Sequence, residues 1–262
     1  MGEVVRVPIL KFAENVKEQT DDVVVRESPL TIILNNQELV TLLCTPVHLD
    51  NLAIGFLFSE GLLKSKGEIK QITMDEKRGV VRVEIGDQTR DAVELVFKRL
   101  ITSGCGRGAS FYNAADVTGR QKVKSKVSIS AIEVFELVRQ FQHRSEVFKT
   151  TGGVHSAALC NNKEIIIFSE DIGRHNAIDK IFGECILKEI TTDGHIIITS
   201  GRVSSEILLK AARGNIPVLV SKSAPTDMGV KLAGDLGITL IGFVRGKRMN
   251  IYSNDWRLVS DG

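Results

Sequence analysis

The 262-residue chain sets 34 Lys and Arg against 32 Asp and Glu, a net charge of +2, and is 43% hydrophobic and 25% charged. Those proportions describe a globular protein with room for one large domain or two small ones, and no stretch approaches the roughly 20 apolar residues of a membrane span. The N-terminus lacks the apolar core of a secretory signal, and so small a net charge assigns no polyanionic partner, so an anion site has to come from local clustering.

In chain order, the segments 30–34 and 39–43, separated by Asn35 and Asn36, read as a β-hairpin with a polar turn. Asp50 is placed to cap a helix running to about Leu63, with Leu52 and Phe56 among its apolar residues. Segments 69–74 and 80–85 predict a second hairpin, whereas 92–101 has a mixed pattern that selects no element. Next comes Thr102-Ser103-Gly104-Cys105-Gly106-Arg107-Gly108. Flanking glycines let backbone amides approach a sulfur or anion closely, and Arg107 favours the thiolate, the nucleophilic form of cysteine. The alternative, a small buried Cys filling a gap, needs an apolar neighbourhood that this segment lacks. The four cysteines, Cys44, Cys105, Cys160 and Cys185, form no CxxC pair, which fits reduced thiols in a cytoplasm. The polar, basic stretch 119–126 is the candidate linker, dividing a β-rich α+β N-terminal domain, 1–125, from an α/β domain, 126–262.

The second half has a clearer rhythm. Ser130-Ala131-Ile132-Glu133 is a capping box, opening a helix expected to reach about Phe148. A hairpin follows over 154–160 and 164–168. Ile178, Ile181, Phe182, Cys185 and Ile186 lie at helical spacing, which makes Cys185 a core residue. Strands at 196–199, 218–221 and 238–242 then alternate with helices at 204–213 and 227–236. Such alternation implies a parallel sheet with right-handed crossovers and helices on its faces.

Ligands of open α/β sheets bind beyond the carboxyl ends of the strands, where helix N-termini point their amides. Three turns there carry suitable groups: Thr199-Ser200-Gly201-Arg202, Ser221-Lys222-Ser223-Ala224-Pro225-Thr226, and Phe243-Val244-Arg245-Gly246-Lys247-Arg248. Guanidinium forks match phosphate oxygens at two points, which suits a pyrophosphate or a guanosine nucleotide. The other reading of residues 245–248 is a solvated hairpin tip. No Walker motif or GxGxxG fingerprint is present, which argues against an NTPase or a dehydrogenase. Thr151-Gly152-Gly153-Val154-His155 and Asp171-Ile172-Gly173-Arg174-His175 supply two histidines beside glycines. Either could shuttle protons near neutral pH, and Arg174 could equally form an ion pair with Glu170 or Asp171.

Together these segments, with Leu52-Ala53-Ile54-Gly55-Phe56-Leu57-Phe58-Ser59-Glu60-Gly61, give the chain a marked likeness to a known family. It resembles the FdhD family, the formate dehydrogenase accessory sulfurtransferases, over residues 27–252. The resemblance implies a C-terminal three-layer α/β/α domain similar to the cytidine deaminase fold. It implies a cytoplasmic homodimer that takes sulfur from a cysteine desulfurase as a persulfide on Cys105. That sulfur passes to the molybdenum or tungsten of a bis-(molybdopterin guanine dinucleotide) cofactor before the cofactor enters formate dehydrogenase. Phe243, Val244, Arg245, Gly246, Lys247 and Arg248 match the segment with which the family holds the cofactor. His155, Arg174, His175 and Arg202 are second-tier candidates for cofactor contact or loop positioning. Many relatives carry two loop cysteines as CxxC, whereas Gly106, Arg107 and Gly108 follow Cys105 here. A resolving disulfide inside the loop is therefore excluded.

The fold resemblance raises one rival, a zinc deaminase, which needs His-x-Glu and a distant Pro-Cys-x-x-Cys. His155-Ser156-Ala157 puts alanine at the glutamate position and the chain has no CxxC, so no protein-bound metal is expected. A binding module that delivers the cofactor without transferring sulfur is the alternative from another class. A nucleic-acid binder using the basic stretch 119–126 is disfavoured, because the chain lacks an aromatic stacking platform.

Overall fold

The computed structural model describes residues 2–86, 100–101, 111–112 and 122–259. The chain opens with a hairpin that the sequence reading did not anticipate, β1 (Val4–Ala13) paired along its length with β2 (Val16–Val25). Its turn residues Glu14 and Asn15 both adopt positive φ, the conformation of a type I′ turn. The run from Lys17 to Asp22 is polar and projects into solvent, so no apolar alternation announces the strand. Next come β3 (Ser28–Leu34) and β4 (Gln37–Cys44), joined by Asn35 and Asn36 at φ 45° and 65°, which is the predicted hairpin.

Helix α1 (Leu49–Glu60) follows, then β5 (Ile69–Asp75) and β6 (Val80–Ile85). These strands make a four-stranded sheet of order β4-β3-β6-β5. Leu30, Ile32 and Leu34 of β3 and Val81, Val83 and Ile85 of β6 bury against α1, whose sequence is apolar nearly all round. Asp50 does not cap α1. The helix begins two residues earlier than such a cap requires, after His48 in a left-handed conformation that makes no side-chain cap, and Asp50 sits in the first turn, where a carboxylate complements the helix dipole. Two short pairs complete the small sheets: β7 (Leu100–Ile101) with β8 (Phe111–Tyr112), and β9 (Ile129–Ser130) with a late strand described below.

After β9 come α2 (Ala131–Arg144) and α3 (Glu146–Thr151). The capping box is present: Ser130 Oγ accepts from Glu133 N at 3.2 Å and Glu133 accepts from Ser130 N at 2.7 Å. The single helix expected to reach Phe148 is broken at Ser145, which leaves helical geometry at ψ 73° and turns its hydroxyl to Ser156 Oγ at 3.0 Å. The remaining elements are β10 (His155–Cys160), β11 (Ile165–Asp171), α4 (Arg174–Lys188), β12 (Ile196–Thr199), α5 (Ser205–Arg213), β13 (Val218–Ser221), α6 (Asp227–Leu236), β14 (Thr239–Arg245), β15 (Arg248–Ser253) and β16 (Leu258–Val259), the partner of β9.

The large sheet has six strands in the order β11-β10-β12-β13-β14-β15. Its centre, β12-β13-β14, is parallel as predicted, while β10, β11 and β15 run antiparallel to their neighbours. Helices α4, α5 and α6 cover one face through Ile181, Phe182, Ile207 and Leu236; α2 covers the other through Val134, Leu137 and Phe141. This is an α/β fold with a three-layer α/β/α arrangement, and burial on both faces explains why β12 and β13 are apolar runs rather than alternating ones.

Of the basic stretch 119–126, residues 122–126 are described, and they are strapped down. Val123 is 5% exposed, and the fully buried Arg257 donates to Val123 O, Ser125 O, Gly237 O and Thr239 Oγ1, with Trp256 4.0 Å from its guanidinium.

The two halves meet where α1 crosses α4. Gly55 lies on the backbone of Asp179 and Gly183 on that of Asn51, and a Cβ at either position would run into a carbonyl. Buried ions surround the crossing. Lys180 Nζ sits 2.7 Å from Asp171 Oδ2 and donates to Thr45 Oγ1 at 2.7 Å; Lys210 Nζ sits 2.7 Å from Asp179, which also accepts from Ser59 Oγ at 2.6 Å. Burial pushes the Asp179 carboxyl above its ordinary value, and the Lys210 ammonium opposes that shift.

Candidate functional site

Parallel register aligns Thr199 of β12 with Ser221 of β13, and Val220 with Ile241 of β14, so the turns that follow leave the sheet side by side. Backbone bonds knit them together: Lys222 N to Thr199 O at 3.2 Å, Val203 N to Ala224 O at 3.1 Å, Thr226 N to Val203 O at 2.9 Å and Phe243 N to Ser223 O at 3.2 Å. Ser221 Oγ donates to Gly201 O at 2.8 Å. Helices α5 and α6 start from these turns. Thr226 caps α6 by accepting from Gly229 N at 3.1 Å. The hydroxyl of Ser204, the N-cap of α5, is buried without a hydrogen-bond partner among the described residues.

His155 opens β10 at the same edge, because β10 runs antiparallel to β12. Its Nδ1 lies 3.3 Å from Ser200 Oγ, which accepts from Ser156 N at 2.9 Å. Gly201 lets the Arg174 side chain lie against the turn, since a Cβ there would sit 2.8 Å from Arg174 Cβ. Burial lowers the His155 pKa, reinforced by the cations of Arg174 and Arg202, so its ring is neutral near pH 7. His175 is pushed down to about 3, first by burial and then by Lys210, Arg174 and His155. Its Nε2 lies 3.4 Å from Glu206 Oε2, but with a neutral ring this contact is not an ion pair. The fold thus brings His155, Arg174, His175 and Arg202 together.

The segment 243–248 forms the β14–β15 tip. Arg245 pairs with Arg248 across Gly246 and Lys247, and Gly246 has φ 57°. Phe243 occupies the left-handed region at φ 54°, in a bulge between Gly242 and Arg245. A bulky side chain there is strained, a feature that concentrates at functional sites. Its ring is 37% exposed, with the Arg245 guanidinium 6.0 Å from its centroid. Val244 points the other way, 1% exposed in the core, so only its backbone faces the tip. Lys222 is half-buried beside this tip; burial lowers its pKa, and Arg245 lowers it further.

Sequence reasoning left one feature unassigned, a cavity of about 500 Å³ between α2, α3 and the start of β10. Phe141, Phe148, Val154 and Ile172 give it apolar walls, and Ser145, Ser156, Ser200, His155 and Lys222 contribute polar groups. Glu170 holds the α3 wall by accepting from Val147 N at 3.2 Å and Phe148 N at 3.3 Å. The break at Ser145 opens this space, and periodicity alone, which runs unbroken to Phe148, gives no sign of it.

Cys105 lies outside the described residues, as do its loop neighbours. The other three thiols are buried, and burial pushes each up to about 12. They are packing groups, as expected for Cys185. No helix among the described residues is long and apolar enough to cross a membrane.

Comparison with known proteins adds three findings. Residues 25–259 match the model of the FdhD/NarQ family. A relative from Bacillus pumilus, named sulfur carrier protein FdhD, is 44% identical over 237 residues, 90% of each chain, and one of the same name from Bacillus subtilis is 42% identical over 251 residues, 95% of each. A crystal structure from Desulfotalea psychrophila, described as a formate dehydrogenase accessory protein, superimposes with a TM-score of 0.82 at 25% identity, covering 98% of this chain and 100% of that one.

Proposed function

This chain belongs to the FdhD/NarQ family, and from that premise we propose that it is a persulfide-carrying sulfurtransferase acting on the molybdenum cofactor of formate dehydrogenase. The observation that carries the reading is the state of the thiols. Cys44, Cys160 and Cys185 are buried and held as thiols up to about pH 12. A family of sulfur carriers needs an accessible sulfur, and the remaining cysteine, Cys105, stands between glycines with Arg107 two residues on.

In the first step the Cys105 thiolate attacks the terminal sulfur of a cysteine desulfurase persulfide. A new S–S bond forms at Cys105, and the desulfurase cysteine leaves as a thiolate that takes up a proton. Transfer to the metal of the bis-(molybdopterin guanine dinucleotide), which is cargo here, would break that S–S bond and return the Cys105 thiolate as the leaving group, the reduced metal of the cargo supplying the two electrons that convert the carried sulfur to sulfide. Phe243, Arg245, Gly246, Lys247 and Arg248, with the Val244 backbone, offer that cargo an exposed ring and three cations at a strained tip. Guanidinium forks and the adjoining helix N-termini suit its pyrophosphates. The protein acts in the cytoplasm as a homodimer.

Incubation with a cysteine desulfurase and cysteine, followed by intact and peptide mass spectrometry, is the direct test. One reductant-labile sulfur atom is expected on Cys105, with none on Cys44, Cys160 or Cys185. The exposed basic tip also favours a second reading, delivery of the cofactor without sulfur transfer. Under it, Cys105→Ala would still mature formate dehydrogenase and Arg245→Ala would not.

A further inference from the structure

The β1–β2 ribbon is tied down at its root, where Val25 packs on Gly153. Toward its turn Leu10, Phe12 and Val16 are 59%, 62% and 64% exposed. A two-stranded ribbon is marginal in water without a further strand or a covering layer, and no third strand joins this one among the described residues.

Its two outer edges differ. The two-residue turn at Glu14 and Asn15 makes Ala13 and Val16 the first hydrogen-bonded pair, so Lys11–Glu18, Ile9–Thr20 and Val7–Asp22 carry the ladder bonds. Residues between those pairs aim their main-chain groups outward. On β1 the outward set includes Pro8, which has no amide and so blunts the edge. On β2 it is Lys17, Gln19 and Asp21, an unbroken row of donors and acceptors. The row stops at Val23, whose amide is taken by Asp22 Oδ1 at 2.8 Å.

Charges usually guard an edge, but these suit a second copy of the same strand. When two identical strands pair antiparallel about a twofold axis, bonding sets the outward residues 17, 19 and 21 against one another. Centring the pair on Gln19 places Lys17 opposite Asp21 of the second copy on both sides of the axis, and Glu18 opposite Thr20. The neighbouring registers fail on charge. Centring on Glu18, Asp21 or Asp22 sets a carboxylate against its own copy, and centring on Thr20 sets Glu18 against Asp22, and like charges directly opposite are destabilising. A ribbon marginal on its own also calls for a partner present whenever the chain is folded. A second copy meets that need, and an enzyme that visits in turn does not.

We propose that β2 is a dimer arm: two copies pair residues 17–21 antiparallel about Gln19 and join their ribbons into a four-stranded sheet of order β1-β2-β2-β1. The inference rests on the reading above that the protein is a homodimer, and it names the face that joins the copies. It also gives the polar run of β2 a role, since the recognition uses main-chain bonds and charge rather than an apolar stripe.

Sedimentation velocity of the full-length protein over a dilution series, with amide hydrogen exchange read by mass spectrometry, tests it. Gln19→Pro removes a donor that the ribbon's own ladder does not use, as Pro8 does on β1. It is expected to weaken self-association by about tenfold or more, the scale of two lost backbone hydrogen bonds. Lys17→Asp should weaken it too, by setting Asp against Asp21 twice, and Lys17→Asp combined with Asp21→Lys should restore it. That restoration does not depend on whether the proline variant keeps its ribbon, and its absence would overturn the proposal. A dimer as tight as wild type in both Gln19→Pro and Lys17→Asp would mean that another face joins the copies, so the arm fails while the homodimer stands. Wild-type protein that stays monomeric at every concentration would sink both. Equal protection of residues 17–21 in the dimer and in the diluted monomer would show that the chain covers its own edge, which also overturns the arm. Persulfide formation on Cys105 is expected in every variant, so the sulfur-carrier reading is decided separately.

Discussion

The junction between the two halves and the carboxyl edge of the large sheet are both dense in charge, and they treat it in opposite ways. At the junction every buried ion described has its counterpart: Lys180 with Asp171, Lys210 with Asp179. Hydroxyls of Thr45 and Ser59 take up further bonding capacity. At the edge, neither Lys222 nor Arg245 meets a carboxylate among the described residues, and Arg245 instead lies over the ring of a strained Phe243. Charge neutralised inside the protein positions the halves. Charge left without an acid is available to a ligand.

The largest expected effect lies at the junction. Lys180→Met leaves Asp171 buried without its counter-ion, and losing one partner of a buried pair costs about 3–5 kcal/mol. Chemical denaturation should show that loss. A double substitution that also replaces Asp171 with an apolar residue should recover part of it, and no recovery would mean that Lys180 acts chiefly through Thr45. Ser59→Ala comes next. It removes one donor from the buried Asp179 carboxylate while Lys210 remains, so a cost of about 2 kcal/mol is expected, the scale of a hydrogen bond to a charged group.

Much of this contrast could be read from the sequence, and the unreadable part has physical causes. The β12–α5–β13–α6–β14 alternation placed the three anion-suited turns at one edge, because parallel crossovers fix where turns emerge. Capping residues at Ser130 and paired asparagines at 35 and 36 act locally, so their spacing sufficed. The junction was not legible. Gly55 and Gly183 are 128 positions apart (183 − 55) and owe their identity to a helix crossing that no local pattern encodes. The same holds for Lys180 and Lys210, which look like solvent-facing helix cations until α1 covers them. Strand β2 is polar from Lys17 to Asp22 and shows no apolar alternation, and the α2–α3 break depends on Ser145 finding Ser156, a partner from another element. Cys105 stands out by its flanking glycines, by Arg107 and by the family resemblance, and lies outside the described residues.

His175 gives the comparison a pH-dependent form. Its pKa is about 3 in the fold, against an ordinary value of 6.5, so the unfolded chain binds the extra proton. Stability tied to this residue is complete above about pH 6.5 and is lost progressively as pH falls toward 3, at up to about 1.4 kcal/mol per pH unit. Denaturation midpoints of wild type and His175→Asn, measured between pH 7 and 4, should converge or cross as pH falls. Parallel curves would show that His175 keeps its ordinary pKa.

The smallest expected change in stability is the most discriminating. If the edge cations are held for a ligand, replacing them should leave the fold alone. Lys222→Met and Arg245→Ala should each shift stability by no more than about 0.5 kcal/mol, as ordinary surface substitutions do, and Lys222→Met is expected to raise it slightly by relieving a half-buried ammonium pressed by Arg245. Both variants should nonetheless be impaired in formate dehydrogenase maturation. A loss of 2 kcal/mol or more in either would place that residue with Lys180 and Lys210 as a structural ion and erase the distinction between the two regions. Unchanged stability with normal maturation would leave the cations as solvated surface, the reading that the hairpin-tip geometry of residues 245–248 allows by itself. Only unchanged stability with lost maturation marks charge kept open for a cargo.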